Sequence, residues 1–177
     1  MGVIAEFTFR HPGLPMMSSL EESGVSLDVE QAVAEDPDEP VLFVWASDGD
    51  LDDFEDAVEC DDTVDDASLV EDAGDRRLYR VAVSDETPVS FYPIDDRMEA
   101  SRLGVTSSAD GINARLRFPD RESLSTFRPR AEARGLDVTL RGVYSDSAPA
   151  YGDQYGLSAK QREALVTALE MGYHDLP

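Results

Sequence analysis

Cysteine is nearly absent from this sequence. Cys60 is the only one, which excludes an intramolecular disulfide and any cysteine-cluster metal site. Lysine is as scarce: of 15 basic residues only Lys160 is lysine, the rest being arginine. The two histidines, His11 and His174, lie far apart and neither neighbours Cys60. A Cys–His or Ser–His–acid site is therefore not expected, and the chain reads as a non-enzyme. Glycines are scattered singly, with no phosphate-cradling loop or dinucleotide fingerprint, and no cofactor is expected. No apolar run approaches the roughly 18 residues of a membrane span, and no basic-then-apolar leader opens the chain. The expectation is a cytoplasmic protein with no membrane partner.

What is abundant is acid. Thirty-eight Asp and Glu give a net charge of −23 over 177 residues, beside an apolar share of 41% that suffices for a core. An acidic, nearly lysine-free surface suits a cytoplasm at very high salt, where charges are screened within about 3 Å at 1 M and net charge maintains solubility. Halophilic origin is favoured over an acidic interaction surface. The charge is also lopsided: residues 1–75 hold 23 acids and one base, Arg10, whereas residues 76–177 hold 15 acids and 14 bases.

Along the chain, VIAEFTFR alternates, with Val3, Ala5, Phe7 and Phe9 on one face of a half-buried strand. HPGLPMM interrupts it. VSLDV and VLFVW read as strands, and DLDDFEDAVE as a helix with Asp50 as N-cap. TVDDASLV and RRLYRVAVS form strands around the turn EDAGD, and MEASRLGVTSS and INARLRF form two more around ADG. A helix from Asp120 carries Leu124, Phe127 and Ala131 and stops at Gly135, with a kink or break expected at Pro129. LDVTLRGVY closes the unit. An internal repeat at an offset of 73 matches Val41, Phe43 and Trp45 to Ala114, Leu116 and Phe118, and Leu51, Phe54 and Val58 to Leu124, Phe127 and Ala131. The expected class is α+β: two β-β-α-β-like halves, helices on one face of a mostly antiparallel sheet.

Candidate chemistry is thin. Asp48, Asp50, Asp52 and Glu59 match positions of a calcium loop, but the obligatory glycine position holds Asp53, so no metal site is expected. Cys60, among acids, reads as a buried or inert thiol, and Trp45 as a core residue. Tyr144, Tyr151 and Tyr155 are expected to anchor the following linker to the domain. Arg115, Arg117, Arg121, Arg128, Arg130, Arg134 and Arg141 admit two readings, a phosphate-facing patch or neutralisation of the acidic half; the second is favoured.

Residues 146–156 read as a linker. Ser158 and Gln161 then form a capping box, Leu165, Ala168 and Leu169 an apolar stripe, and Gly172 a C-terminal cap. A lone helix of about 14 residues is marginal without a packing partner. LSAKQREALVTALEMGYHDLP resembles the opening of the helix-turn-helix domain of bacterio-opsin activator (Bat)-type regulators of halophilic archaea. GDRRLYRV and RLRFPDRESLSTFRPRAEARGLDVTLRGVY resemble the domain associated with it. The resemblance implies a transcription regulator in which residues 1–145 form a regulatory or dimerising domain and residues 157–177 the first helix of a truncated helix-turn-helix. DNA would be read by the missing C-terminal part, with Lys160 and Arg162 reaching phosphate at most. A homodimer is expected from the two-fold pairing of such units, and a small-molecule effector is the alternative role for the domain.

Overall fold

The computed structural model describes residues 2–33, 40–89 and 100–145. Among the described residues eight strands form one sheet: β1 (Val3–Arg10), β2 (Val25–Val33), β3 (Val41–Asp48), β4 (Val64–Asp72), β5 (Arg76–Val83), β6 (Ser101–Ser108), β7 (Gly111–Phe118) and β8 (Asp137–Ser145). Three helices accompany them among the described residues, α1 (Met17–Ser23), α2 (Leu51–Glu59) and α3 (Arg121–Glu132). Every described strand pair is antiparallel, and the order is β4-β5-β3-β2-β6-β7-β1-β8. The fold is thus α+β. Read from the β4 edge the sequence of strands is β4-β5-β3-β2, and from the opposite edge β8-β1-β7-β6. The first strand of the chain therefore fills, between β7 and β8, the place that β5 fills between β3 and β4.

Strand alternation decides which face is buried. Ala5 and Phe7 of β1 stand opposite Leu116 and Ala114 of β7, and all four belong to one buried cluster with Leu27, Val44, Ala46 and Tyr79. Met17 and Leu20 of α1, Phe54 and Val58 of α2, and Phe127 and Ala131 of α3 complete that cluster. All three helices therefore cover the same face, and the other face carries no helix among the described residues.

Each long helix starts where its sequence provides a cap. Asp50 accepts from the backbone N–H groups of Asp52 and Asp53 at 3.0 and 3.1 Å, and Asp120 from that of Ser123 at 2.8 Å. The Ser123 N–H also holds the Asp120 carboxyl below its ordinary range. Pro129 does not break α3, which continues to Glu132. The proline is exposed, and only a short stretch of helix follows it. Gly49 is held close: with φ near +44°, a Cβ there would sit 2.5 Å from Gly24 C and Val25 N.

The expected matching of the two strand–helix–strand segments needs correction in the strands. Phe43 and Trp45 do not correspond to Leu116 and Phe118, because the cluster takes Val44 and Ala46 from β3 but Leu116 and Phe118 from β7. The core-facing positions of the two strands are thus 72 apart (44 to 116, 46 to 118). The buried pairs Phe54/Phe127 and Val58/Ala131 keep the offset of 73. VLFVW is apolar on both faces, so its alternation could not reveal which side turns inward. Helix α1 was not anticipated from the sequence. The linker and helix expected at 146–177 lie outside the described residues.

Candidate functional site: the open face of the sheet

The helix-free face is ordered by strand register. Leu78 stands opposite Trp45, Trp45 opposite Asp28, Asp28 opposite Thr106, Thr106 opposite Asn113, Asn113 opposite Thr8, and Thr8 opposite Thr139. The next row contains Arg80 opposite Phe43, and Arg115 opposite Glu6. A third sets Val41 against Ala82 and Arg117 against Ile4. One half of this face therefore sets aromatic and aliphatic residues among acids and Arg80, and the other is dominated by arginine and small polar groups.

Trp45 is a surface element rather than a core residue. Its indole N–H donates to Glu30 at 2.5 Å, and the Arg76 guanidinium lies 4.3 Å from its ring centroid. Arg80 pairs with Asp66 at 3.1 Å. On the other half, the Thr8 hydroxyl donates to Asn113 Oδ1 at 2.7 Å and accepts from Arg141 Nε at 3.1 Å. Arg115 Nε lies 3.8 Å from Glu6, which also accepts from the Tyr144 hydroxyl at 3.3 Å. A trough of about 530 Å³ runs over this part of the face, lined by Glu6, Asp28, Thr106, Asn113, Arg115 and Arg141.

The arginines singled out in the sequence are divided among the elements. Arg115, Arg117 and Arg141 gather on the open face, whereas Arg128 pairs with Glu132 along α3 at 2.7 Å. Neutralisation of nearby acids accounts for Arg115 and Arg128. The acidic end is paired as well: Arg77 lies 2.8 Å from Asp52 and 3.3 Å from Asp72. The Asp52 side chain holds Arg77 cationic above the ordinary guanidinium range.

Of the calcium-loop pattern, Asp50 caps α2 and Asp52 binds Arg77; among the described residues no group of His, Cys, Asp or Glu is placed to hold a metal. Cys60 is exposed, not buried. Tyr144 reaches Glu6 across the sheet. Tyr151, Tyr155, Lys160 and Arg162 lie outside the described residues. Among the described residues no helix is long and apolar enough to cross a membrane.

Two interior features gave no signal in the sequence. Asp61 lies under α1, where it accepts from the Ser19 hydroxyl at 2.6 Å and from the Thr63 N–H at 3.0 Å. On the helix side of the sheet, Met16, Leu27, Leu42, Val44, Val105 and Ile112 line a cavity of about 60 Å³. Neither shows as a local pattern, because each joins residues from distant elements.

The arrangement is that of an α+β module with one face closed by helices and the other presenting a sheet surface of mixed charge and aromatic character. The family model described as BAT: GAF and HTH_10 associated domain matches residues 3–150, and the chain belongs to that family. The family is a regulatory one, accompanying GAF and HTH_10 domains of transcription regulators. No curated protein matches the chain.

Proposed function

We propose that this chain is the regulatory and pairing module of a helix-turn-helix transcription regulator. The observation that carries the reading is the family match over residues 3–150. It stops short of residues 157–177, whose capping box and apolar stripe resemble the opening of a helix-turn-helix. The fold supports a mechanical link between the two. β8 lies at the edge of the sheet, bound to β1 on one side and packed beneath α3, and delivers the chain at Ser145 to the C-terminal segment. A change in the sheet or in α3 would re-aim that segment. In this reading Lys160 and Arg162 contact phosphate and position the unit, and base recognition belongs to a recognition helix further on.

The test is selection from randomised duplexes by the full-length gene product, followed by titration of the selected duplex at several salt concentrations. Binding to a recurring sequence is the expected result. Replacing Lys160 and Arg162 with Ala should weaken binding evenly across sequences and lower the slope of log K against log salt by about one per contact removed. Failure to select any sequence sinks the DNA-binding reading.

The cavity on the helix side of the sheet, between Met16, Leu42 and Val105, favours a second reading, a small-molecule sensor. At about 60 Å³ it is smaller than the ~150 Å³ that accepts a benzene ring, so it takes only a small apolar group unless its walls part. A panel of short aliphatic compounds should then raise the melting temperature of the chain and leave that of Val105→Leu, which fills the cavity, unchanged. No rise with any compound removes this reading.

A further inference from the structure

We infer that the open face of the sheet is an interface with the open face of a second copy of this chain, packed about a two-fold axis parallel to the strands. The inference supplies the pairing that the proposed function calls for, but it stands on the chemistry of the face alone.

The first argument is charge. Among the described residues, the β4-β5-β3-β2 half of the face carries Asp28, Glu30, Asp66 and Glu71 against Arg76 and Arg80, a net of −2. The other half carries Arg115, Arg117 and Arg141 against Glu6, a net of +2, while Arg10 and Asp137 stand opposite one another and cancel. A face with this dipole is complementary to itself in one orientation only. A two-fold axis parallel to the strands reverses their order, laying β3 of one copy over β7 of the other and β5 over β1. An axis across the strands would lay the acidic β4 edge over its own copy, with like charges opposed.

The second argument is the register of the rows. Rotation about an axis parallel to the strands keeps each row at its own level. The row holding Arg80 and Phe43 also holds Glu6 and Arg115, because each lies two residues along its strand from the connected row Leu78–Trp45–Asp28–Thr106–Asn113–Thr8. In the paired copies Arg80 then meets Glu6 of the second copy, and Phe43 meets the second copy's Arg115, a cation over an aromatic face. Trp45, half-buried already, meets the Asn113 and Thr8 region. Sheets packed in this aligned manner lie about 10 Å apart with a relative turn near 30°, which side chains of this length span.

The third argument is area. Eight strands at about 4.8 Å spacing, each about 26 Å long, give a face on the order of 900 Å². Stable interfaces bury roughly 800 Å² per partner. The net charge of −23 per chain opposes association at low salt and is screened at molar salt, so pairing should appear as salt rises.

The test is sedimentation equilibrium of the chain at low salt and at about 2 M KCl, where repulsion between exposed charges is screened while pairs buried in the interface are screened much less. A dimer at high salt is expected. Arg80→Glu sets two acids opposite each other and should weaken the dimer roughly tenfold or more, while its melting temperature serves as the control for folding. Adding Glu6→Arg to that variant should recover much of the loss. Arg128→Glu, on the helix side, should leave the dimer unchanged. A monomer at both salt concentrations overturns the inference, as does a dimer indifferent to Arg80→Glu. A monomer that still selects a DNA sequence would sink this interface and spare the proposed function; a dimer without DNA binding would do the reverse.

Discussion

Phe127→Ala should remove about 3–5 kcal/mol of stability, the usual cost of deleting a buried phenylalanine ring. Phe127 is fully buried on α3, with its ring centroid 5.1 Å from that of Phe7, 5.3 Å from Phe118 and 6.0 Å from Phe9. Two of these contacts are edge-on, the favoured arrangement for aromatic quadrupoles, and such pairs contribute beyond their buried area. The ring joins β7, β1 and α3, the only long helix over that end of the sheet among the described residues, so its loss leaves a cavity that the two strands cannot collapse around. Typical domains hold about 5–15 kcal/mol in total, and the variant would therefore lose a large part of its margin. Denaturant titration is the measurement: the midpoint should fall with the slope unchanged. Phe127→Leu, which fills part of the space, should cost far less. An alanine variant within about 1 kcal/mol of the parent would show that α3 does not anchor this end, well below the range such deletions span. The link between β8 and the C-terminal segment would then lose its mechanical basis.

What could be read from the sequence was local. The alternation of VIAEFTFR, the cap Asp50, the helix start at Asp120 and the turn EDAGD are set by residues within a few positions of one another, and the structure has each where expected. What could not be read depends on distant partners. Helix α1 follows two prolines, starts from Met16 with φ near +60° and has no side-chain cap. It is held instead by burial of Met17 and Leu20 against residues from the rest of the chain. The placement of β1 between β7 and β8 joins residues more than 100 positions apart. The open face is invisible in sequence for the same reason: Phe43 and Arg115 share a row only once the three registers between their strands are fixed. Trp45 shows the limit most plainly, since a run apolar on both sides offers no clue to which face is solvated.

Asp61→Ala should cost about 2–3 kcal/mol, because it strips a buried carboxylate from donors that have no other partner of equal quality. Asp61 is buried between α1 and the turn into β4. One oxygen accepts from the Ser19 hydroxyl and the other from the N–H and hydroxyl of Thr63, while the Thr63 oxygen in turn accepts from the Met16 N–H at 2.9 Å. Burial pushes the carboxyl upward, but the Ser19 and Thr63 donors together outweigh it and hold the group below its ordinary value of 3.8. With the folded value below the unfolded one, ionised Asp61 contributes stability that is complete above about pH 5 and is lost as pH falls through the folded value. The difference in stability between the parent and Asp61→Asn should therefore be constant near neutrality and shrink in acid. The comparison cancels the titration of the many exposed carboxylates common to both proteins. Stability measured from pH 7 down to pH 2.5 at fixed high salt is the check. If the gap stays constant throughout, Asp61 acts by shape and neutral hydrogen bonding alone. If it closes, the ionised carboxylate is what ties α1 to the turn before β4.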